Sequence, residues 1–119
     1  MPAPIEDLKA HLGAIHDVNA TTSLLRWDQE TKMPPGGAKG RAEQLATLSR
    51  LAHELFVSID TERRLTTAEA TAGTLDPDSD AAALVRMTRR DFDIASKLPA
   101  EFVAERARAR SLSTEAWRE

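Results

Sequence analysis

Histidines and their acidic neighbours are the side chains that could bind a metal in this chain. His53 and Glu54 begin like the zincin helix motif, in which two histidines one turn apart bind zinc and the glutamate polarises a water molecule. Val57 stands at the position of the second histidine, so the motif is incomplete. His11 and His16 are five residues apart and do not share a helix face well. We therefore interpret His53 as a surface or partly packed histidine, and a metal-binding regulator built on the three histidines is a weak alternative.

The segment from residue 26 to residue 41 carries the other candidate chemistry. Asp28 and Glu30 are candidate paired carboxylates, but residues two apart on a helix point away from each other, which favours salt bridging over acid and base roles. The glycine-rich stretch at 36–41 precedes a helix, yet it lacks both Gly-Lys-Ser/Thr and a preceding strand, so we interpret it as a turn. Trp27 is either a core anchor or part of a groove wall, and the usual burial of tryptophan favours the core.

Composition limits the fold and the classes of partner. The chain has 119 residues, of which 41% are hydrophobic and only 4% aromatic, so one small domain must build its core from Leu, Ala, Val and Ile. Together with many Glu and Arg residues, this is a helix-forming composition and predicts an all-α fold. The formal charge of −3, with no basic run among aromatics, argues against nucleic acid and membrane surfaces as partners.

Cysteine content and the first residues indicate the compartment. The chain contains no cysteine, which excludes disulfides and thiolate metal sites and fits a reducing compartment. The first residues lack a basic region followed by an apolar stretch, and the longest aliphatic run, 81–85, is far too short to span a bilayer. We expect a cytoplasmic protein.

Hydrophobic periodicity and turn residues place the helices. The pattern predicts helices at 5–32, 38–59, 61–72, 79–97, 99–109 and 112–119. The two prolines and two glycines at 34–37 must end the first helix, so the first two helices should form an antiparallel hairpin that shorter helices follow. We interpret the mixed-sign stretch at 89–93 as a solvated helix face. No stop signal follows Trp117, and we expect the sequence to continue in a longer protein.

Three stretches resemble the carboxypeptidase Taq family of metallocarboxypeptidases, and the resemblance covers nearly all of the chain. The most specific is Leu-Arg-Trp-Asp-Gln-Glu-Thr-Lys-Met-Pro-Pro-Gly-Gly at 25–37, followed by Arg-Ala-Glu-Gln-Leu-Ala-Thr-Leu-Ser-Arg-Leu-Ala-His-Glu at 41–54. The second, Arg-Asp-Phe-Asp-Ile-Ala-Ser-Lys-Leu-Pro-Ala-Glu-Phe-Val at 90–103, is similar to a Tyr-Asp-x-Ala-x-Lys-Leu-Pro stretch, with Phe92 in place of the tyrosine. The third, Ser-Leu-Ser-Thr-Glu-Ala-Trp at 111–117, resembles the start of the next helix.

The resemblance implies a long, almost wholly helical, zincin-like protein with a deep substrate groove, in which N-terminal helices form part of a wall or lid. Members remove single residues from peptide C-termini. Two histidines of His-Glu-x-x-His and a later Glu hold zinc or another divalent metal, and the Glu of the motif is the general base. No position of this chain matches those residues. We therefore assign no catalytic, metal or cofactor residue, and expect the catalytic domain to lie outside this chain.

These expectations together define a role. We expect a single N-terminal helical domain that forms the groove wall or lid of a metal-dependent carboxypeptidase, inactive by itself, with the rest of the parent and its peptide substrate as partners. Substrate-groove or structural candidates are Trp27, Asp28, Glu30 and Arg41. An exposed apolar strip predicts a homo-oligomer. The alternative is a stand-alone helical module that binds a protein partner without catalysis.

Overall fold

Helices form all the regular structure of the protein. The computed structural model describes residues 1–118, which contain no strand. The helices are α1 (Ala3–Thr31), α2 (Ala38–Phe56), α3 (Ile59–Ala72), α4 (Asp80–Ala95) and α5 (Ala100–Arg118), with a 3-10 turn at Pro35–Gly37. The predicted all-α fold is confirmed. Within these residues no helix is long and apolar enough to cross a membrane.

The largest differences from the predicted helix bounds lie at the end of the second helix and within the last helix, and the other bounds differ by at most two residues. The second helix was expected to reach residue 59, but it ends at Phe56. The extended Ser58 caps the start of α3, because its Oγ accepts a hydrogen bond from the Thr61 N–H at 3.2 Å. The predicted helices 99–109 and 112–119 are one helix, α5, which has 19 residues like α2 and is not shorter. Ser111, between the two predicted helices, is buried within α5. Glu119, the predicted last helical residue, lies outside the described residues.

The chain folds as two compact units. The first unit comprises Met1–Ile15 and Leu55–Lys97, and the second unit comprises His16–Glu54 and the residues from Leu98 onward. Helix α1 contributes its first half to one unit and its second half to the other. The expectation of a single N-terminal domain stays a prediction.

The core of the first unit joins α1, α3 and α4. Its buried apolar residues are Ile5, Leu8, Leu65, Ala68, Ala81, Val85 and Phe92. The ring of Phe56 meets the ring of Phe92 edge to face, with centroids 5.9 Å apart. Helical spacing explains this core, because it brings apolar residues three or four apart onto one face of a helix.

Arg89 links α4 to α3 in the first unit. Its guanidinium donates to Glu62 at 2.9 Å and to Glu69 at 2.6 Å, and lies 5.5 Å from the centroid of the Phe92 ring. The two glutamates are seven residues apart on α3 and so share a face. The interpretation of 89–93 as a solvated face is wrong for Arg89, whose side chain is only 24% exposed, because two carboxylates of α3 lie opposite it.

We expect the Arg89→Met substitution to raise the pKa of Glu62 towards its ordinary value of 4.5. The hydrogen bond from Arg89 is the main cause that holds this pKa below that value in the folded protein. Such a carboxylate stabilises the fold fully above its unfolded pKa, and the contribution disappears as pH falls through the lowered folded pKa. The variant should therefore lose stability less steeply in that acidic window than the wild type.

A carbon NMR titration of the glutamate carboxyl groups would test this expectation, with Arg90→Met as the matched control. Arg90 is the exposed neighbour of Arg89 on α4. An unchanged Glu62 pKa in Arg89→Met, or an equal change in Arg90→Met, would contradict the assignment of the shift to the Arg89 contact.

The second unit pairs α2 with α5 in antiparallel orientation. Arg108 of α5 donates to Glu43 of α2 at 2.7 Å, and Arg50 of α2 donates to Glu101 of α5 at 3.3 Å. His53, at the end of α2, hydrogen-bonds the carbonyl oxygen of residue 98 at 2.8 Å. From one of these pairs to the next, the residue number on α2 rises while the partner's number falls, as antiparallel neighbours require. The buried residues of this unit are small or polar for the most part, namely Thr22, Gln29, Ala42, Leu45, Ala46, Ala52, Ala104, Ala107 and Ser111.

Candidate functional site

The turn between α1 and α2 positions the candidate residues of the second unit. The carbonyl oxygen of Asp28 accepts hydrogen bonds from the N–H groups of Lys32 at 2.8 Å and Met33 at 2.9 Å, which closes the end of α1. The prolines that follow carry no N–H and cannot continue the helix. Gly37 then passes close to Met33, since a Cβ added at Gly37 would lie 3.1 Å from the Met33 Cγ. The absence of a side chain at Gly37 lets the chain turn tightly into α2.

Arg41 joins the two helices of this turn. Its guanidinium donates to the Asp28 carboxylate at 2.9 Å and to the carbonyl oxygen of Leu25 at 2.6 Å, and its Nε donates to Gln44 at 3.0 Å. The Arg41 side chain is only 14% exposed. Two of the four candidate residues, Asp28 and Arg41, are thus brought together as an ion pair beside the turn, in agreement with the salt-bridging interpretation of Asp28.

Trp27 and Glu30 do not take part in the ion pair between Asp28 and Arg41. The core interpretation of Trp27 is wrong, because 57% of the residue is exposed. Each residue advances about 100° around a helix, so Trp27 points away from Thr22 and Gln29, which mark the buried face of this part of α1. Glu30 is exposed and forms no ion pair within residues 1–118. Trp27 therefore remains a groove-wall candidate, while Glu30 lies apart from the Arg41 contact.

Gln29 is a buried polar residue that the sequence analysis missed. Its Nε2 donates to the carbonyl oxygen of Ser111 and to the Glu115 carboxylate, each at 3.1 Å, and its Oε1 accepts from the Ser111 hydroxyl at 3.1 Å. Arg118 donates to the backbone carbonyl of Gln29. The available signal was that Gln29 follows Thr22 by seven residues and so continues the inward stripe of α1. Gln29 fixes the register of α5 on α1.

Two of the three histidines, His11 and His53, have structural partners. His53 is partly buried and hydrogen-bonded to a backbone carbonyl, which confirms its interpretation as a packed or surface histidine. In the first unit, His11 Nε2 lies 2.7 Å from the Thr61 hydroxyl. Among residues 1–118 no three His, Cys, Asp or Glu side chains converge as a metal-binding group. The described residues therefore do not fit a resident metal.

Comparison with known proteins identifies the family. The family model described as Carboxypeptidase Taq (M32) metallopeptidase matches residues 7–119. Thermostable carboxypeptidase 1 of Thermus thermophilus is 35% identical over 97 residues, which are 82% of this chain and 19% of that protein. Thermostable carboxypeptidase 1 of Pyrococcus furiosus is 30% identical over 115 residues, which are 97% of this chain and 22% of that protein.

The chain matches only a small part of each of these relatives. The chain spans about a fifth of the length of these curated relatives. No solved structure gave a significant match. The family match extends over nearly the whole chain and confirms the resemblance on residues 25–54, 90–103 and 111–117. The chain belongs to the carboxypeptidase Taq (M32) family of metallopeptidases.

Proposed function

We propose that this chain is the N-terminal groove-wall or lid region of a cytoplasmic, metal-dependent carboxypeptidase that releases C-terminal amino acids from peptides. The observation that carries the proposal is the family match over residues 7–119, combined with coverage of only 19–22% of the curated carboxypeptidases. The described residues contain no metal-binding group. We therefore assign zinc, or another divalent metal, and the hydrolytic step to the rest of the longer protein, and no hydrolysis to this chain alone.

Exposed apolar side chains support the proposal that this region packs against another polypeptide segment. Six large apolar residues of the second unit are at least 44% exposed, namely Leu24, Trp27, Leu51, Phe102, Leu112 and Trp117. Leu24 and Trp27 are three residues apart on α1 and therefore share one face. Large exposed apolar groups in such number favour contact with the rest of the parent, with a peptide substrate or with a second copy of the chain. The homo-oligomer remains part of the proposal.

Capture of the endogenous protein would test this proposal. An antibody raised against residues 26–50 would isolate the protein from its source cells, followed by measurement of its intact mass and of amino acids released from a peptide. We expect a species several times heavier than 13.1 kDa that releases C-terminal residues and loses this activity with a chelator.

The matched control is the 119-residue chain itself, which should release no amino acid under the same conditions. A captured species of 13.1 kDa without activity would overturn the proposal. That outcome would instead identify a stand-alone helical protein-interaction module.

A further inference from the structure

Three arginines of the second unit have no acidic partner among residues 1–118. Most other arginines of the chain form ion pairs, as do Arg41, Arg50, Arg64, Arg89, Arg108 and Arg118. In contrast, Arg26, Arg106 and Arg110 have no carboxylate within 4.0 Å and no side-chain hydrogen bond among residues 1–118. We call Arg26, Arg106 and Arg110 the arginine site.

Helix geometry explains why these side chains meet. Arg106 and Arg110 are four residues apart on α5 and share a face. The α5 residues three or four positions away from either arginine carry no carboxylate, being Phe102, Val103, Ala107, Ala109, Ser113 and Thr114. Arg26 lies one turn before Gln29 on α1, and Gln29 is bonded to Ser111, the residue after Arg110. The Gln29 contact therefore sets Arg26 beside the two arginines of α5.

The surroundings of Arg26 in the second unit disfavour its positive charge. Arg26 is partly buried, and this burial lowers its pKa, as do the positive charges of Arg110 and then Arg106. Glu30 follows Arg26 by one turn but does not approach within 4.0 Å. Partial burial of a cation beside two like charges costs free energy, and a bound anion would remove that cost. The protein as a whole is acidic, with a formal charge of −3, so the positive charge of these three arginines is opposite in sign to the net charge.

We propose that Arg26, Arg106 and Arg110 bind a polypeptide segment that carries at least two neighbouring Asp or Glu side chains. The planar guanidinium group pairs with a carboxylate through two parallel hydrogen bonds, so three such groups can hold two or three neighbouring carboxylates. The net negative charge of the chain disfavours a long polyanion, such as a nucleic acid, whose phosphates would extend beyond the three arginines. Binding is measured without hydrolysis, so the inference does not depend on the proposed function.

An NMR titration of the isotope-labelled chain would test the arginine site. The probe is the blocked peptide acetyl-Gly-Glu-Glu-Gly-Glu-Glu-Gly-amide at low salt, and the matched probe has glutamine in place of each glutamate. We expect the glutamate peptide to shift the signals of Arg26 and of residues 106–110, while the glutamine peptide leaves them unchanged. The double substitution Arg106→Gln and Arg110→Gln should weaken binding about tenfold, because it removes two charge-assisted contacts at an exposed surface.

The double substitution Arg63→Gln and Arg90→Gln is the matched control, since both residues are exposed arginines of the first unit without an ion pair among residues 1–118. It removes the same charge and should change binding less than about twofold. Equal weakening in the two double variants, or no shift with the glutamate peptide, would overturn the proposal. A single-stranded oligonucleotide of equal charge that bound as tightly as the glutamate peptide would overturn it too, because it would indicate a general polyanion surface.

Discussion

Replacement of Leu65 by alanine is expected to lower the free energy of unfolding by about 3 kcal/mol. Leu65 is fully buried on α3, in the core that α1, α3 and α4 share in the first unit. The substitution removes three carbons from a site where neighbouring side chains can close the space only in part, so the loss of burial and the remaining cavity add. The whole stability of a domain of this size is about 5–15 kcal/mol, so the effect is large.

Urea unfolding followed by circular dichroism, together with hydrogen exchange of the α3 and α4 amides, would measure this loss. The matched control is Leu24→Ala, the same chemical change at a helix position that is 62% exposed, where we expect a change within about 0.5 kcal/mol. Similar losses for the two variants would contradict the assignment of Leu65 to a tightly packed core.

The second large effect is expected for Gln29→Ala, which should cost about 2–3 kcal/mol. Gln29 is 2% exposed, and its side chain forms three hydrogen bonds with Ser111 and Glu115. The alanine variant leaves a cavity and removes the partner of the buried Ser111 hydroxyl. Leaving a buried polar group unpaired costs more free energy than the net value of one hydrogen bond. We expect the protection of α5 amides against hydrogen exchange to fall with the stability of the second unit.

Gln44→Ala is the matched control for this substitution. Gln44 is exposed on α2 and accepts one hydrogen bond from Arg41, so its loss should cost no more than about 0.5 kcal/mol. A double-mutant cycle with Ser111→Ala should give a coupling energy of about 1 kcal/mol, because the two side chains bond each other directly. A coupling energy near zero would show that the bond from the Ser111 hydroxyl contributes little, and that Gln29 acts through its other bonds and its packing.

The helices were predictable because their signals are local. The prolines and glycines at 34–37 end α1 whatever lies around them, and the apolar stripe of α4 marks its buried face by spacing alone. Helix boundaries that depend on a single side-chain hydrogen bond were harder to predict from the sequence. The Ser58 hydroxyl accepts a hydrogen bond from the Thr61 N–H where α3 follows α2, whereas the predicted break between residues 109 and 112 does not occur in α5.

The candidate site was predictable only in part, because side-chain type does not fix the partner. Asp28 was expected to form a salt bridge, and Arg41 provides it. Trp27 was expected in the core, but the α1 face that packs carries Thr22 and Gln29, two polar residues that composition alone assigns to the surface. The arginine site was not anticipated, since Glu30 stands at the spacing that usually pairs with Arg26 on a helix.

By itself the sequence determined the all-α class, the turn after α1 and the family, because helix propensity, proline chemistry and motif identity depend on residues near one another in the chain. Only the tertiary structure decided the environment of Gln29, the pairing of Arg89 with two glutamates and the nearness of α5 through which Arg110 and Arg106 lower the pKa of Arg26. Helical periodicity places residues on relative faces, whereas burial and charge compensation depend on which other helix lies opposite each face.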